Sequence, residues 1–223
     1  MKVSEALLQR RSTRAFLPKP VEQETLQQVL NYARWAPSGV NMQPWQVYVL
    51  SGQAKQSLSQ ALLEAFESGQ KEPMDYQYYP KEWVEPFKSR RIALGQQLYE
   101  HLEIDHSDKP ARLAQWGRNY IGFDAPVLMI FTIEQTLAEG SFIDYGMFLQ
   151  SVMLMAEELG LATCPQASLA EYPILLREIL NLEKTQRILC GISIGYADKN
   201  ALANQFQPER ESVETFAKFI DTL

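Results

Sequence analysis

Ala36-Pro-Ser-Gly-Val-Asn-Met-Gln-Pro-Trp45 is the stretch on which the reading of this chain turns. Its two prolines and its glycine forbid a helix. Between them stand three short hydrogen-bonding side chains, Ser38, Asn41 and Gln43. Upstream, Leu26, Val29, Leu30 and Ala33 are spaced i, i+3, i+4 and i+7, which predicts an amphipathic helix over Glu22–Trp35. Downstream, Trp45–Leu50 is rich in β-formers and ends at the turn signal Ser51-Gly52, which predicts a strand. A rigid polar loop held between two buried elements is where binding groups tend to sit.

A second polar segment lies upstream, at Arg10-Arg11-Ser12-Thr13-Arg14-Ala15-Phe16, after a short apolar helical pattern at Val3, Ala6 and Leu7. Its guanidiniums are planar forks that grip phosphate oxygens two at a time. With formal net charge -6 the chain is acidic, so this knot of arginines stands against the general trend. The acidic balance also argues against nucleic acid or an anionic membrane as partner.

Working toward the C-terminus, Ala54–Glu67 repeats the helical spacing. Gln70–Phe87 is broken by Pro73, Pro80 and Pro86 yet dense in aromatics, a pattern suited to lining or covering a pocket. Ser89–Leu102 and Ala111–Tyr120 read as helices. Val127–Ile133 is a nearly continuous apolar run, as in a strand buried on both faces. Phe142–Leu159 is apolar around most of its circumference, which calls for a large core or a second subunit. Gly160 suits its C-cap. Leu161–Tyr172 reads as a proline-pinned loop, Leu175–Leu182 as a helix and Ile188–Tyr196 as a strand. There Gly191 and Gly195 suggest a close backbone approach. Val213, Phe216, Ala217 and Ile220 define a terminal amphipathic helix.

The 223 residues, 46% of them hydrophobic and 22% charged, suit one soluble domain over 1–223. Cys164 and Cys190 show no metal spacing and read as small reduced core residues. No signal segment opens the chain, so a cytoplasmic location is expected.

The two polar blocks, in this order and at this separation, resemble the FMN-dependent nitroreductases. There Arg-(Arg/His)-Ser-x-Arg-x-Phe is followed by a helix and then Ala-Pro-Ser-x-x-Asn-x-Gln-Pro-Trp. The match falls on Arg10, Ser12, Arg14, Phe16, Ala36, Pro37, Ser38, Asn41, Gln43, Pro44 and Trp45. The Tyr-Pro, Arg-Arg and Leu-Tyr pattern of the middle region looks most like the nitrobenzoate-reductase-like branch. The resemblance implies an α+β fold with an antiparallel-dominated sheet flanked by helices, a variable cap over about 70–122, and an intertwined homodimer with two FMN sites at its interface.

It also implies site roles. Arg10, Arg11, Ser12, Arg14 and Arg210 would hold the FMN phosphate. Pro37, Ser38, Gly39, Asn41 and Gln43 would border the ring, with Asn41 and its neighbours serving a flavin held mainly by the other subunit. Pro165, Gln166, Ala167 and Ser168 would bring a backbone N–H to flavin N5, while Tyr79, Trp83 and Phe123 would stack on the acceptor. Two departures stand out: Ala167-Ser168 replaces the Glu-Gly of many members, and Pro208 replaces a lysine, leaving Arg210 as the late-chain cation.

No side chain in these motifs need be an acid, base or nucleophile, since the cofactor carries the chemistry. The reaction implied is ping-pong hydride transfer from NADH or NADPH through FMN to a small nitroaromatic or quinone-like acceptor, with no metal. Alternatives on the same scaffold are dehalogenation, ene reduction or flavin destruction; beyond them lie a non-catalytic FMN-binding protein and a purely structural dimer.

Overall fold

Four antiparallel strands, β1 (Gln46–Ser51), β2 (Val127–Glu134), β3 (Ala162–Gln166) and β4 (Gln186–Gly195), form one sheet in the order β1-β2-β4-β3. This is a computed structural model and describes residues 1–222. β2 shows why helices must cover both faces. Its residues Val127, Met129, Phe131 and Ile133 enter one core, while Leu128 and Ile130 enter the other. Side chains alternate across a strand, and each buried one contributes roughly 1.5–3 kcal/mol.

The first face is covered by α2 (Gln23–Ala33) and α6 (Glu139–Glu158), through Leu26, Val29, Ala33, Tyr145, Phe148, Val152 and Ala156. The second is covered by α3 (Gly52–Glu67) and α7 (Pro173–Leu180), through Leu58, Leu62, Ala65 and Leu176. The α+β class and the flanked antiparallel sheet are as the sequence implies. At the periphery lie α1 (Val3–Gln9), α4 (Phe87–His101), α5 (Lys109–Gly117), α8 (Leu202–Gln205) and α9 (Val213–Phe216).

Both expected glycine roles are found. Gly160 takes φ +74 just past α6 and turns the chain into β3. A Cβ on Gly191 would lie 2.2 Å from Leu169 Cδ1 and 3.1 Å from the Met129 carbonyl, so the sheet closes only over a hydrogen there.

Two expectations need correction. The proline-pinned loop at Leu161–Tyr172 is an edge strand, β3, followed by a 3₁₀ turn over Ala167–Glu171. Pro165 is tolerated because an edge strand leaves one side of its backbone unpaired. The terminal helix is a single turn, α9, after which the chain is extended and leaves Phe219 90% exposed. Within the single chain α6 leaves Ile143 on its outer side 70% exposed, so the core of one chain does not cover it all round. No helix among the described residues is long and apolar enough to cross a membrane.

Candidate functional site

The arginine segment is laid along the edge of the sheet. Ser12 bridges to Thr163 of β3 in parallel fashion, and Thr13 N donates to the Thr163 carbonyl at 2.9 Å. Buried Asn204 of α8 clamps it from the other side. Its Oδ1 accepts from Arg14 N (2.7 Å), and its Nδ2 donates to the Ala15 (2.7 Å) and Asp198 (2.8 Å) carbonyls. The Asn204 carbonyl accepts from Arg11 Nη1 at 3.2 Å.

Arg10, Arg11, Ser12 and Arg14 are all half-buried on this edge. Among the described residues none of the three arginines has a carboxylate within ion-pair distance. Arg14 Nη1 instead turns back to the Ser12 carbonyl, at 3.4 Å. Thr163 Oγ1 is buried beside them without a partner. Half-buried guanidiniums without a close carboxylate keep their donor forks available to an anion.

The Ala36–Trp45 loop is held elsewhere, by the N-terminal half of α6. Gly39 N donates to Oδ2 of buried Asp144 at 3.1 Å. The Tyr145 hydroxyl sits 2.9 Å from the carbonyls of both Gln46 and Thr132, and Trp45 stacks flat on Phe148 with centroids 4.7 Å apart. Ser38 Oγ accepts from Gln43 N at 3.0 Å, closing the loop on itself.

So anchored, the loop carries left-handed backbone at Val40 (φ 45), Asn41 (φ 58) and Gln43 (φ 49). Such strain costs roughly 1–2 kcal/mol per residue and gathers at ligand clamps. Asn41 and Gly39 are exposed, and the Asn41 side-chain amide makes no hydrogen bond among the described residues, its backbone N–H going to the Ser38 carbonyl.

The third part lies where β3 ends. A cleft of about 410 Å³ is lined by Met74, Tyr76, Gln77, Tyr78, Tyr79, Ala167 and Glu171. Its aromatic wall is continuous, with Tyr78 edge-on to Tyr79 (4.7 Å) and Tyr79 against Trp83 (5.6 Å). A bulge between Phe131 and Thr132 throws β4 out of register, and the Tyr76 hydroxyl donates to the Leu189 carbonyl there, at 2.5 Å. Ser168, next in the chain to the cleft-lining Ala167, has a buried Oγ without a partner among the described residues.

Several expected site residues fall otherwise. Phe123 does not face a pocket. It is 1% exposed and packs with Phe16, Ala125 and Cys164, folded under by its own left-handed backbone (φ 53). The Gln166 side chain is committed internally: Nε2 donates to the Asn119 carbonyl (2.6 Å), and Oε1 accepts from Ser193 Oγ (2.5 Å). Arg210 is exposed and donates to the carbonyls of Pro208 and Glu209, with no bond to the N-terminal arginines among the described residues.

Sequence reasoning passed over Asn204, Asp144 and Arg118. The last of these sits 3.5 Å from the Arg14 carbonyl and pairs with Asp124 at 3.1 Å. No local pattern marks these residues, since their partners lie on other elements. Both cysteines are buried and free, with burial pushing Cys164 to about 11 and Cys190 to about 12, so neither is a ready nucleophile.

One chain does not unite the two motif blocks. The loop is tied to Asp144 near the start of α6, whereas the arginines lie by Glu157 and Thr163 at its end. At 1.5 Å per residue the helix separates them by about 20 Å.

A strained polar loop, an unpaired arginine edge and an aromatic cleft around this sheet define the class, and the chain belongs to the nitroreductase family, whose profile matches residues 7–196. It is 39% identical over 211 residues to a 4-nitrobenzoate reductase of Pseudomonas putida, covering 95% of this chain and 92% of that relative. It is 36% identical to a nitrobenzene nitroreductase of Ectopseudomonas oleovorans, covering 98% and 96%. The crystal structure of an FMN and NADPH-dependent nitroreductase, NfnB from Sphigopyxis sp. strain HMH, superposes with a TM-score of 0.96 at 37% identity, covering 100% of each chain.

Proposed function

We propose that this chain is an FMN-dependent NAD(P)H nitroreductase that reduces small nitroaromatic acceptors. The observation carrying the reading is the row of half-buried arginines, none of which has a carboxylate within ion-pair distance among the described residues, Glu157 being their nearby counter-charge. The cofactor's shape fits the rest. Orphaned hydroxyls stand at both ends of β3, Thr163 beside the arginines and Ser168 next in the chain to the cleft-lining Ala167. Extended backbone at 3.3 Å per residue places Thr163 and Ala167 about 13 Å apart. A phosphate at one end and a flat ring at the other would satisfy both.

Arg10, Arg11, Ser12 and Arg14 would hold the phosphate, and the backbone of Ala167–Ser168 would border the ring. The chemistry FMN would supply there is hydride transfer at N5, and one open place beside it would serve nicotinamide and acceptor in turn. The protein's own part is positional. The guanidiniums neutralise the dianion, the 3₁₀ turn presents amide donors, and the tyrosine wall stacks on a flat acceptor and thins the water over it. Residues 70–122 would act as the cap.

The site is completed by a second copy of the chain. The separation of the motif blocks along α6 supports this, as do the exposed Ile143 on α6 and the uncovered Phe216, Phe219 and Ile220 of the C-terminal arm. In such a dimer the Asn41 loop of one protomer would serve the flavin held by the arginines of its partner. The extended arm offers Arg210 the same opportunity.

The test is direct. Purified protein reconstituted with FMN should be yellow, sediment as a dimer, bleach with NADPH and recover colour on adding 4-nitrobenzoate. Yellow protein that NADPH leaves unbleached would point to a binding protein instead, and colourless protein would end the reading.

A further inference from the structure

Reduction of a nitro group needs more than a hydride. The balanced step is R–NO2 + NAD(P)H + H⁺ → R–N=O + NAD(P)⁺ + H2O. Two electrons and one hydrogen nucleus arrive as hydride, one N–O bond breaks, and a separate proton lets that oxygen leave as water. The cleft must therefore deliver a proton where its aromatic walls have thinned the solvent.

We infer that Glu171 is the proton donor to the acceptor, an assignment that rests on the nitroreductase reading above. Among the residues lining the cleft it is the sole carboxyl group. Its Oε2 accepts from the Tyr120 hydroxyl at 2.7 Å, while no hydrogen bond engages Oε1 among the described residues. One oxygen is thus fixed and the other is left for the cleft.

Tyr120 is a firm anchor. It is fully buried, lies 4.8 Å from the Phe66 ring, meets Tyr172 edge-on at 5.3 Å, and has Trp116 Nε1 at 3.4 Å from its hydroxyl. No lysine or arginine pairs with Glu171 among the described residues.

The surroundings of Glu171 shift it toward its acid form. Burial raises the Glu171 carboxyl above its ordinary value, and the bond from Tyr120 offsets part of that. The groups facing it are Tyr120 and Tyr172 behind, and Tyr76, Tyr78 and Tyr79 across the cleft; burial pushes Tyr76, Tyr78, Tyr120 and Tyr172 upward, so these stay neutral and are poor donors. The nearby carboxylate of Glu72 is occupied by the backbone N–H groups of Ile174 and Leu175, and that of Asp75 by Arg177.

The experiment compares the FMN-loaded wild type with Glu171→Gln, which keeps an acceptor for Tyr120 but has no proton to give. Three readouts are taken: bleaching by NADPH, reduction of ferricyanide (an electron acceptor that needs no proton), and the pH profile of kcat with 4-nitrobenzoate. General acids contribute about 10²-fold or more. The nitroarene rate should fall by at least that factor with its alkaline limb lost, while bleaching and ferricyanide reduction stay within about twofold, as this selective loss requires. In the wild type, activity should decline as pH rises through the Glu171 ionisation.

Tyr120→Phe supplies an independent arm. Removing the bond that favours the carboxylate should move the alkaline limb to higher pH. An unchanged nitroarene rate and profile in Glu171→Gln would overturn the proposal. A parallel loss of all three activities would too, since it would make Glu171 structural. Wild-type protein that fails to bleach would instead sink the nitroreductase reading beneath it.

Discussion

The Ser38–Gln43 loop and helix α4 both face solvent, but they are held in opposite ways. The loop is exposed and strained, yet every few residues it is tied to α6: Gly39 to Asp144, Trp45 to Phe148, Gln46 to Tyr145. Helix α4 has no buried residue and leaves Phe87, Ile92 and Leu94 open on its surface. It is hung from its neighbours by a surface pair, Arg90–Glu211 at 2.8 Å, and by His101 Nε2, 2.8 Å from the Leu202 carbonyl. On the proposed function the loop would fix a cofactor's orientation, and pinning from a buried helix suits that, because a small misplacement is costly. If α4 belongs to the proposed cover, few such ties suit it, since regions with few buried apolar contacts open first.

Breaking the pin should have the largest effect. Asp144→Ala leaves the Gly39 N–H unsatisfied and lets the left-handed residues relax. It should cost about 2 kcal/mol, a fall in Tm of roughly 4–8 °C by calorimetry, and weaken FMN binding in a fluorescence titration. A smaller effect is expected where the aromatic segment meets the sheet. Tyr76→Phe removes one hydrogen bond to Leu189 and should cost about 1 kcal/mol, with the KM for a nitroarene rising more than kcat falls. The least is expected on α4. Arg90→Ala breaks an exposed ion pair and should change stability by less than about 0.5 kcal/mol; a larger loss in denaturant titration would mean that α4 is held more firmly than its contacts indicate.

Much of this was legible in the chain. The two-faced burial of β2 followed from a nearly continuous apolar run, and the α2–loop–β1 unit followed from a helical stripe meeting Pro37 and Pro44. The aromatic wall followed from tyrosines set among prolines. β3 was hidden by Pro165, whose missing N–H reads as a strand breaker until the edge position is known. Phe123 was expected to stack on the acceptor; the left-handed backbone that buries it instead leaves no local trace. Asp144 and Asn204 escaped for a related reason. Each completes a hydrogen-bond set belonging to a segment roughly a hundred residues or more away, and such long-range bonds have no period.

The central claim is that the arginines of one protomer and the Asn41 loop of another make one site, and subunit complementation tests it most directly. Chains carrying Arg14→Ala or Asn41→Ala, each differently tagged, are co-expressed, and the mixed dimer is purified through both tags and loaded with FMN. Shared sites would put both defects in one site and leave the other intact, so the mixed dimer should regain about half of wild-type NADPH:4-nitrobenzoate activity. A mixed dimer no more active than the average of the two variants would contradict the account.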